Sequence, residues 1–282
     1  MLTLIGSLIV NILLVASLDI QEYYDIDQAH IYFERFVNDY KRDYVSDDEK
    51  AYRFNVFVEN LKRFNEQNQR SSRAVSGINK FADLTKEEFK KYYTGLLING
   101  TTDLQAGCQV KIGPVNMTDY VPDSFDWRDK NVVTPVKNQG ACGSCWAFSC
   151  IGSVESQYAI KNQRLALFSE QQLVDCDDRS FGCAGSMGID YPFLYLMEKG
   201  GLLESDYPYI GMDGVCQYKQ EKVQVKLSGC RSLVVNGDEE KLKALIYKYG
   251  PASIGAIFFL KMQRGVNCLN LLVAEPVQAI VE

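Results

Sequence analysis

One stretch constrains this chain more than any other: Gln139-Gly140-Ala141-Cys142-Gly143-Ser144-Cys145-Trp146-Ala147-Phe148-Ser149. Gly143 and Ser144 form a compact entry, and Ala147 to Ile160 continues as a mostly apolar helix. A fold that accepts this order brings Cys145 to a helix N-terminus. There the helix dipole favours the thiolate, the reactive form of the side chain. A free cysteine at a helix start is usually structural, so the position alone assigns no chemistry. Cys150, five residues on, reads as a small buried apolar residue.

The chain has 282 residues, enough for more than one compact unit. At 46% hydrophobic and 23% charged, its composition is globular. A net charge of −6 disfavours nucleic acid or an anionic membrane surface as a main partner. Met1 to Ser17 is apolar and uncharged, too short for a comfortable membrane span, and Val15-Ala16-Ser17 offers small residues for cleavage. Residues 1–17 are therefore expected to be a signal peptide, although no Lys or Arg precedes the apolar run; a retained anchor is the alternative. No later segment is long and apolar enough to cross a bilayer, so no stable membrane insertion is expected after signal removal. Export implies an oxidising compartment in which cysteines pair into bridges, and a count of nine cysteines fits that reading. Asn99 and Asn116 head glycan acceptor sequons in a polar stretch. There is no metal-ligand spacing, no phosphate loop and no expected cofactor.

From about residue 27 to 93 the pattern is helical. Ile31, Phe33, Phe36, Val37 and Tyr40 give an apolar stripe, and Ser46-Asp47-Asp48-Glu49 reads as a capping box. The helix after it spaces Tyr52, Val56, Phe57, Leu61 and Phe64 by threes and fours. Thr85-Lys86-Glu87-Glu88 starts a short helix ending near Gly95. Gly100 to Tyr120 lacks periodicity and reads as a protease-accessible linker.

Taken together, these motifs resemble those of the papain-like cysteine proteases. Cys142 to Trp146 spells the C-G-S-C-W signature of the papain and cathepsin nucleophile. Glu49, Arg53, Phe57, Asn60, Phe64 and Asn68 follow the interrupted pattern of that family's inhibitory propeptide, with Phe64 where Ile is usual. The run Gly77-Ile78-Asn79-Lys80-Phe81-Ala82-Asp83 matches its second motif. Phe168 to Cys176, Gly182 to Ser186 and Tyr207-Pro208-Tyr209 continue the match. Ser228-Gly229-Cys230 and a helix from Asp238 to Tyr249, stopped by Gly250-Pro251, look most like the viral cathepsins of insect baculoviruses.

The resemblance implies an α+β, papain-like two-domain fold, a helical half against a β-barrel half, preceded by a helical inhibitory propeptide. It divides the chain into signal peptide (1–17), propeptide (18–120), peptidase domain (121–257) and a divergent tail (258–282). It casts Cys145 as nucleophile and Gln139 as an oxyanion-hole donor beside the backbone N–H of Cys145. Gly185, Ser186, Met187, Gly188 and Gly255 become cleft candidates. Ser186 replaces a glycine that lets substrate backbone approach, so it is expected to crowd the cleft. The family's pairing implies bridges Cys142–Cys183 and Cys176–Cys216, with Cys230–Cys268 as a further candidate. Implied partners are protein or peptide substrates and the chain's own propeptide. A monomer on a secreted or endolysosomal route is expected, with cleavage after an apolar residue at the second position before the cut.

One part of the pattern is missing. The partner His and Asn are expected roughly 130 to 150 residues beyond the nucleophile. None of the 137 residues after Cys145 is histidine, and the sole histidine is His30, on the first propeptide helix. The resemblance stops near residue 257, so the barrel half is expected to be incomplete, with unpaired strands near 222–227 and 252–260. Three readings follow: a zymogen whose C-terminal sequence is altered, an inactive truncated relative, or a propeptide-type inhibitor of a related protease.

Overall fold

A computed structural model describes residues 23–70, 75–95, 97, 108, 121–234, 239–254, 270–274 and 277–279. The leader, Asn99, Asn116, Gly255 and Cys268 lie outside the described residues. The chain divides into two compact units, 1–85 and 86–282.

In the first unit, α1 (Ala29–Asp39) packs on α2 (Asp47–Arg70). Ser46 caps α2 by accepting the Glu49 N–H at 3.1 Å. Glu49 reaches back one residue further than a standard capping box, accepting the Val45 N–H at 2.8 Å. The core is aromatic: Phe33, Phe36 and Phe57 are buried with Leu61, and the Phe33 ring meets Phe54 and Phe57 edge-on, each at 5.3 Å. Ile31 and Tyr40 stay exposed, so the buried face of α1 is narrower than the expected stripe.

The propeptide-pattern asparagines form the polar half of this unit. Asn60 donates to the carbonyls of Ala82 (2.7 Å) and Leu84 (3.0 Å). Asn68 both donates to and accepts from the Ser76 backbone. Asp83, nearly fully buried, accepts from Arg42 at 2.7 Å and from the Tyr44 hydroxyl at 3.0 Å, while Arg53 donates to the Asp83 carbonyl. The Asn79 side chain accepts the Phe81 N–H in a local turn. Asn65, absent from the sequence pattern, clasps the N–H and C=O of Tyr24 at 2.8 Å each. Loop segments 75–84 and 23–25 are thus tied to one helix by side-chain amides acting as backbone surrogates.

The second unit opens with α3 (Lys86–Tyr93) and is built around α4 (Cys145–Asn162). Trp146, Ala147, Cys150, Ile151, Val154 and Tyr158 on α4 are all buried. Around it lie α5 (Glu170–Cys176), α6 (Tyr191–Glu198) and α7 (Glu239–Tyr249). Ser169 caps α5 by accepting the Gln172 N–H at 2.9 Å. Gly250 ends α7 at φ 103°, a conformation that favours glycine. The segment from residue 121 docks on α7 through Trp127, whose Nε1 donates to the Ile246 carbonyl at 3.0 Å.

Strand pairing departs from the expectation of bare edges. β1 (Val225–Leu227) pairs antiparallel with β5 (Val277–Ala279), so Val225 faces Ala279. β2 (Cys230–Val234) and β3 (Ser253–Ile254) flank β4 (Asn270–Ala274) in a second antiparallel sheet. The tail, featureless as a motif, supplies both partner strands. The run Asn270-Leu271-Leu272-Val273-Ala274 suits a strand by composition, and pairing saturates backbone groups that would otherwise invite aggregation.

Bridges Cys142–Cys183 and Cys176–Cys216 form as the resemblance implies. The third is a correction: Cys230 bonds Cys108, with Cα atoms 5.1 Å apart, and Cys268 is not its partner. Both sulfurs belong to the apolar core around α4. Cys108 sits in the polar stretch read as a linker, so nothing in its local sequence marked it as a structural cysteine.

A buried ionic group fixes the loop before the Gln139–Ser149 stretch. Lys137 donates to Glu155 at 2.7 Å and to Glu170 at 2.5 Å, and both carboxylates are almost fully buried. Glu155 also accepts from Thr134 at 2.5 Å and from the Phe168 N–H at 2.9 Å. One ammonium thus serves two carboxylates. Burial pushes Glu170 up to about 7, against the lowering effect of Lys137. A carboxyl raised in the folded state stabilises most below its unfolded value, and that stability is lost as pH rises through the folded one. Glu170 therefore makes the protein less stable as pH climbs from about 4.5 to about 7. The slope is at most ~1.4 kcal/mol per pH unit while this group alone titrates. Urea denaturation between those pH values is expected to show the decline in the native sequence and a flatter profile in Glu170→Gln. Identical profiles would contradict this assignment.

Candidate active site

The site is built at the N-terminus of α4. Ser144 occupies the cap position and is buried; its hydroxyl lies 2.7 Å from the Tyr209 hydroxyl. Tyr209 in turn donates to the Gln139 carbonyl at 2.7 Å, and its ring meets Phe148 edge-on at 4.8 Å. Tyr209 thus ties both ends of the loop that carries Gln139 and Cys145. Gln139 Nε2 donates to the Cys142 carbonyl at 2.8 Å, which anchors the amide beside the cysteine loop. One N–H of the amide remains for a ligand oxygen.

The other wall is the 181–188 loop. The Cys142–Cys183 bridge and a Gly143 N–H to Cys183 carbonyl bond of 2.9 Å join it to the cysteine loop. Trp146 Nε1 donates to the Gly182 carbonyl at 3.1 Å, and Asp213 accepts the Cys183 N–H at 2.6 Å. The position of Cys145 is therefore fixed from both sides before any ligand arrives.

Thr94, Gly95 and Leu97 lie between these walls. The Ser186 N–H donates to the Gly95 carbonyl at 2.7 Å, and the Leu97 N–H donates to the Ser186 carbonyl at 2.9 Å. This is the bonding pattern of a parallel β-bridge. The approach is close enough to require glycines. A Cβ added to Gly95 would fall 1.9 Å from the Gly143 carbonyl oxygen and 3.2 Å from Cys145 Sγ. A Cβ on Gly185, at φ 113°, would fall 2.4 Å from the Gly95 carbonyl oxygen. Gly143 carries the same constraint, since its Cβ would meet the Cys183 and Thr94 carbonyl oxygens at 2.5 and 2.8 Å.

Ser186 does not crowd the cleft as the sequence suggested. Its hydroxyl turns into its own loop, donating to the Gly188 carbonyl at 2.8 Å and lying 3.1 Å from Ser180 Oγ. Only its backbone faces the 94–97 segment, and the glycine needed for close approach is Gly185. Met187 is exposed beside it, and Gly188 is buried. Sequence reasoning also missed the roles of Gly95, Tyr209 and Asp213. Tyr209 lay within a recognised motif without a role, and Gly95 marked only a helix end.

Burial pushes the Cys145 thiol up, and the backbone amides of Gly95, Trp146 and Cys145 itself oppose this without reversing it. Desolvation is thus the larger influence on this thiol, ahead of the backbone hydrogen bonds around it. His30 is exposed on α1 in the first unit. Cys150 is fully buried, and burial pushes its thiol well up, as befits a core residue.

The chain is similar to known proteins over most of its length. The papain family cysteine protease model matches residues 121–266, and the cathepsin propeptide inhibitor domain (I29) matches residues 33–89. The viral cathepsin of Heliothis zea nuclear polyhedrosis virus is 40% identical over 259 residues, covering 86% of this chain and 70% of the relative. That of Orgyia pseudotsugata multicapsid polyhedrosis virus is 43% identical over 252 residues, covering 88% and 76%. The solved digestive procathepsin L2 proteinase from Tenebrio molitor larval midgut superposes with a TM-score of 0.73 at 33% identity, covering 88% of this chain and 85% of that one.

The tight packing at Gly95 generates a direct test. Gly95→Ala places a methyl against the Gly143 carbonyl, and overpacking of this kind costs about 1–3 kcal/mol. Expulsion of the segment is expected to speed iodoacetamide labelling of Cys145 in the full chain by roughly 5- to 150-fold. Mass spectrometry of the Cys145 peptide reads the rate, and an unchanged rate would show that residues 94–97 do not guard the thiol.

Proposed function

Because the chain belongs to the papain family of cysteine proteases, with an inhibitory propeptide ahead of its peptidase domain, we propose that Cys145 is its attacking atom and that residues 86–97 keep it latent. The observation that carries this reading is the Gly95 backbone lying against Cys145 Sγ while its carbonyl takes the Ser186 N–H. An extended peptide needs the same backbone edge at Ser186, so substrate and tail compete for one set of hydrogen bonds. Gln139 and the backbone N–H of Cys145 are the donors for the oxyanion that forms when a thiolate adds to a peptide carbonyl.

The chemistry then needs a proton acceptor for the thiol and a proton donor for the leaving amine. No histidine lies among residues 146–282, and desolvation pushes the Cys145 thiol up, away from the thiolate. Residues 1–282 thus supply the proposed nucleophile and oxyanion donor, and no histidine base is among residues 146–282. For residues 1–282 alone, amide hydrolysis is expected to lie roughly 10³- to 10⁶-fold below that of a complete catalytic set.

A secretory or endolysosomal route is part of the same proposal. The apolar leader, the disulfides and the loss of stability toward neutral pH at Glu170 all favour an oxidising or acidic compartment. Peptide and protein substrates, a monomeric state and glycosylation at Asn99 and Asn116 complete the reading. No helix among the described residues is long and apolar enough to cross a membrane.

The test separates thiol chemistry from turnover. Iodoacetamide labelling of Cys145 is expected to rise about tenfold per pH unit from pH 6 to 8, as for a thiol whose thiolate is a minor species. Hydrolysis of a fluorogenic peptide is expected to match the Cys145→Ala control. Labelling that is flat with pH below 7, or turnover above that control, would mean that another group activates the thiol.

A further inference from the structure

The Cys108–Cys230 bridge lies across the boundary between the two matched regions. The propeptide-domain match ends at residue 89 and the peptidase match begins at 121. Cys108 falls between them, while Cys230 opens β2 inside the peptidase domain. The bridge spans 122 residues of sequence, and both cysteines are buried, at 5% and 2% exposure. Any cut between residues 109 and 120 therefore separates the backbone without separating the molecule.

We propose that this bridge tethers the severed propeptide to the peptidase domain, so that release of the cleft requires reduction as well as proteolysis. The proposal rests on the reading that residues 86–97 guard Cys145. Only 10 residues lie between Leu97, the last described residue of the tail, and the tether point. Rebinding is then intramolecular, at an effective concentration of about 1 mM for a connection of that length. A tail with a Kd of about 1 μM would leave the cleft open in roughly one molecule in a thousand. Without the tether the same tail dissociates on dilution.

The reductive step balances with a cellular monothiol of the glutathione class. Two such thiols are oxidised to one disulfide, the Cys108–Cys230 bond breaks, and each cysteine sulfur leaves carrying one proton. Burial of both sulfurs slows attack while the domain is folded, so the bridge outlasts a brief encounter with reductant. The device makes release conditional on two signals, a protease and a reducing compartment.

The experiment uses the full chain with a site-specific protease sequence replacing residues 112–118. After cutting, a denaturing gel without reductant is expected to show one joined species, which splits into two on adding dithiothreitol. In the cut, oxidised protein, Cys145 is expected to label with iodoacetamide at the uncut rate. In the cut Cys108→Ser, Cys230→Ser double variant, dilution is expected to raise the rate tenfold or more. Separation of the fragments without reductant, or equal acceleration in both proteins, would overturn the tether. The gel arm keeps the native cysteines, so it stands even if the double variant fails to fold. Fast labelling in the uncut chain would instead count against the guarding role of residues 86–97.

Discussion

The packing of Gly95 between the Gly143 carbonyl and Gly185, against the thiol of Cys145, is the constraint on which the site depends. Three backbone segments meet there with no room for a single added carbon. That intimacy requires the cysteine loop and the 181–188 loop to be fixed relative to each other. The Cys142–Cys183 bridge, the Gly143 to Cys183 hydrogen bond and the Trp146 to Gly182 hydrogen bond do this. The result is a cleft whose walls are preorganised and whose occupant is part of the same chain. Preorganisation lowers the entropy cost of binding any extended backbone there, whether tail or substrate.

Buried polar groups carry much of the specificity elsewhere. Lys137 bridges Glu155 and Glu170 beneath the loop that presents Gln139. Breaking such a group leaves an uncompensated buried charge, which costs more than the intact group contributes. In the first unit, Asn60, Asn65 and Asn68 project from one helix and satisfy backbone groups of segments that have no regular structure of their own. Side-chain amides can do this because each offers a donor and an acceptor in one plane. Substituting an apolar residue of similar size would leave several main-chain carbonyls and N–H groups without partners.

How far the sequence disclosed this depended on whether the signal was local. The N-caps at Ser46 and Ser169 and the stop at Gly250 are written in neighbouring residues, and each closes the helix end it flanks. The Cys142–Trp146 stretch, two bridges and the propeptide-pattern asparagines were legible because their types recur in fixed spacing within one family. The Cys108–Cys230 bridge was not, since pairing across 122 residues leaves no mark in either local segment. Strands β4 and β5 escaped for a related reason: their partners are remote, and a short apolar run carries no register of its own. Ser186 misled because a side chain's direction is set by tertiary neighbours, here Gly188 and Ser180.

The central claim is that the chain's own backbone occupies the edge at Ser186 and thereby shields Cys145. Native-state amide hydrogen exchange at Ser186 and Leu97 measures that directly, because both N–H groups are donors in this pairing. The account predicts that both amides are protected in the uncut chain and lose protection together when residues 94–97 leave. Unprotected exchange at Ser186 in the uncut chain, at the rate of an exposed loop, would contradict it.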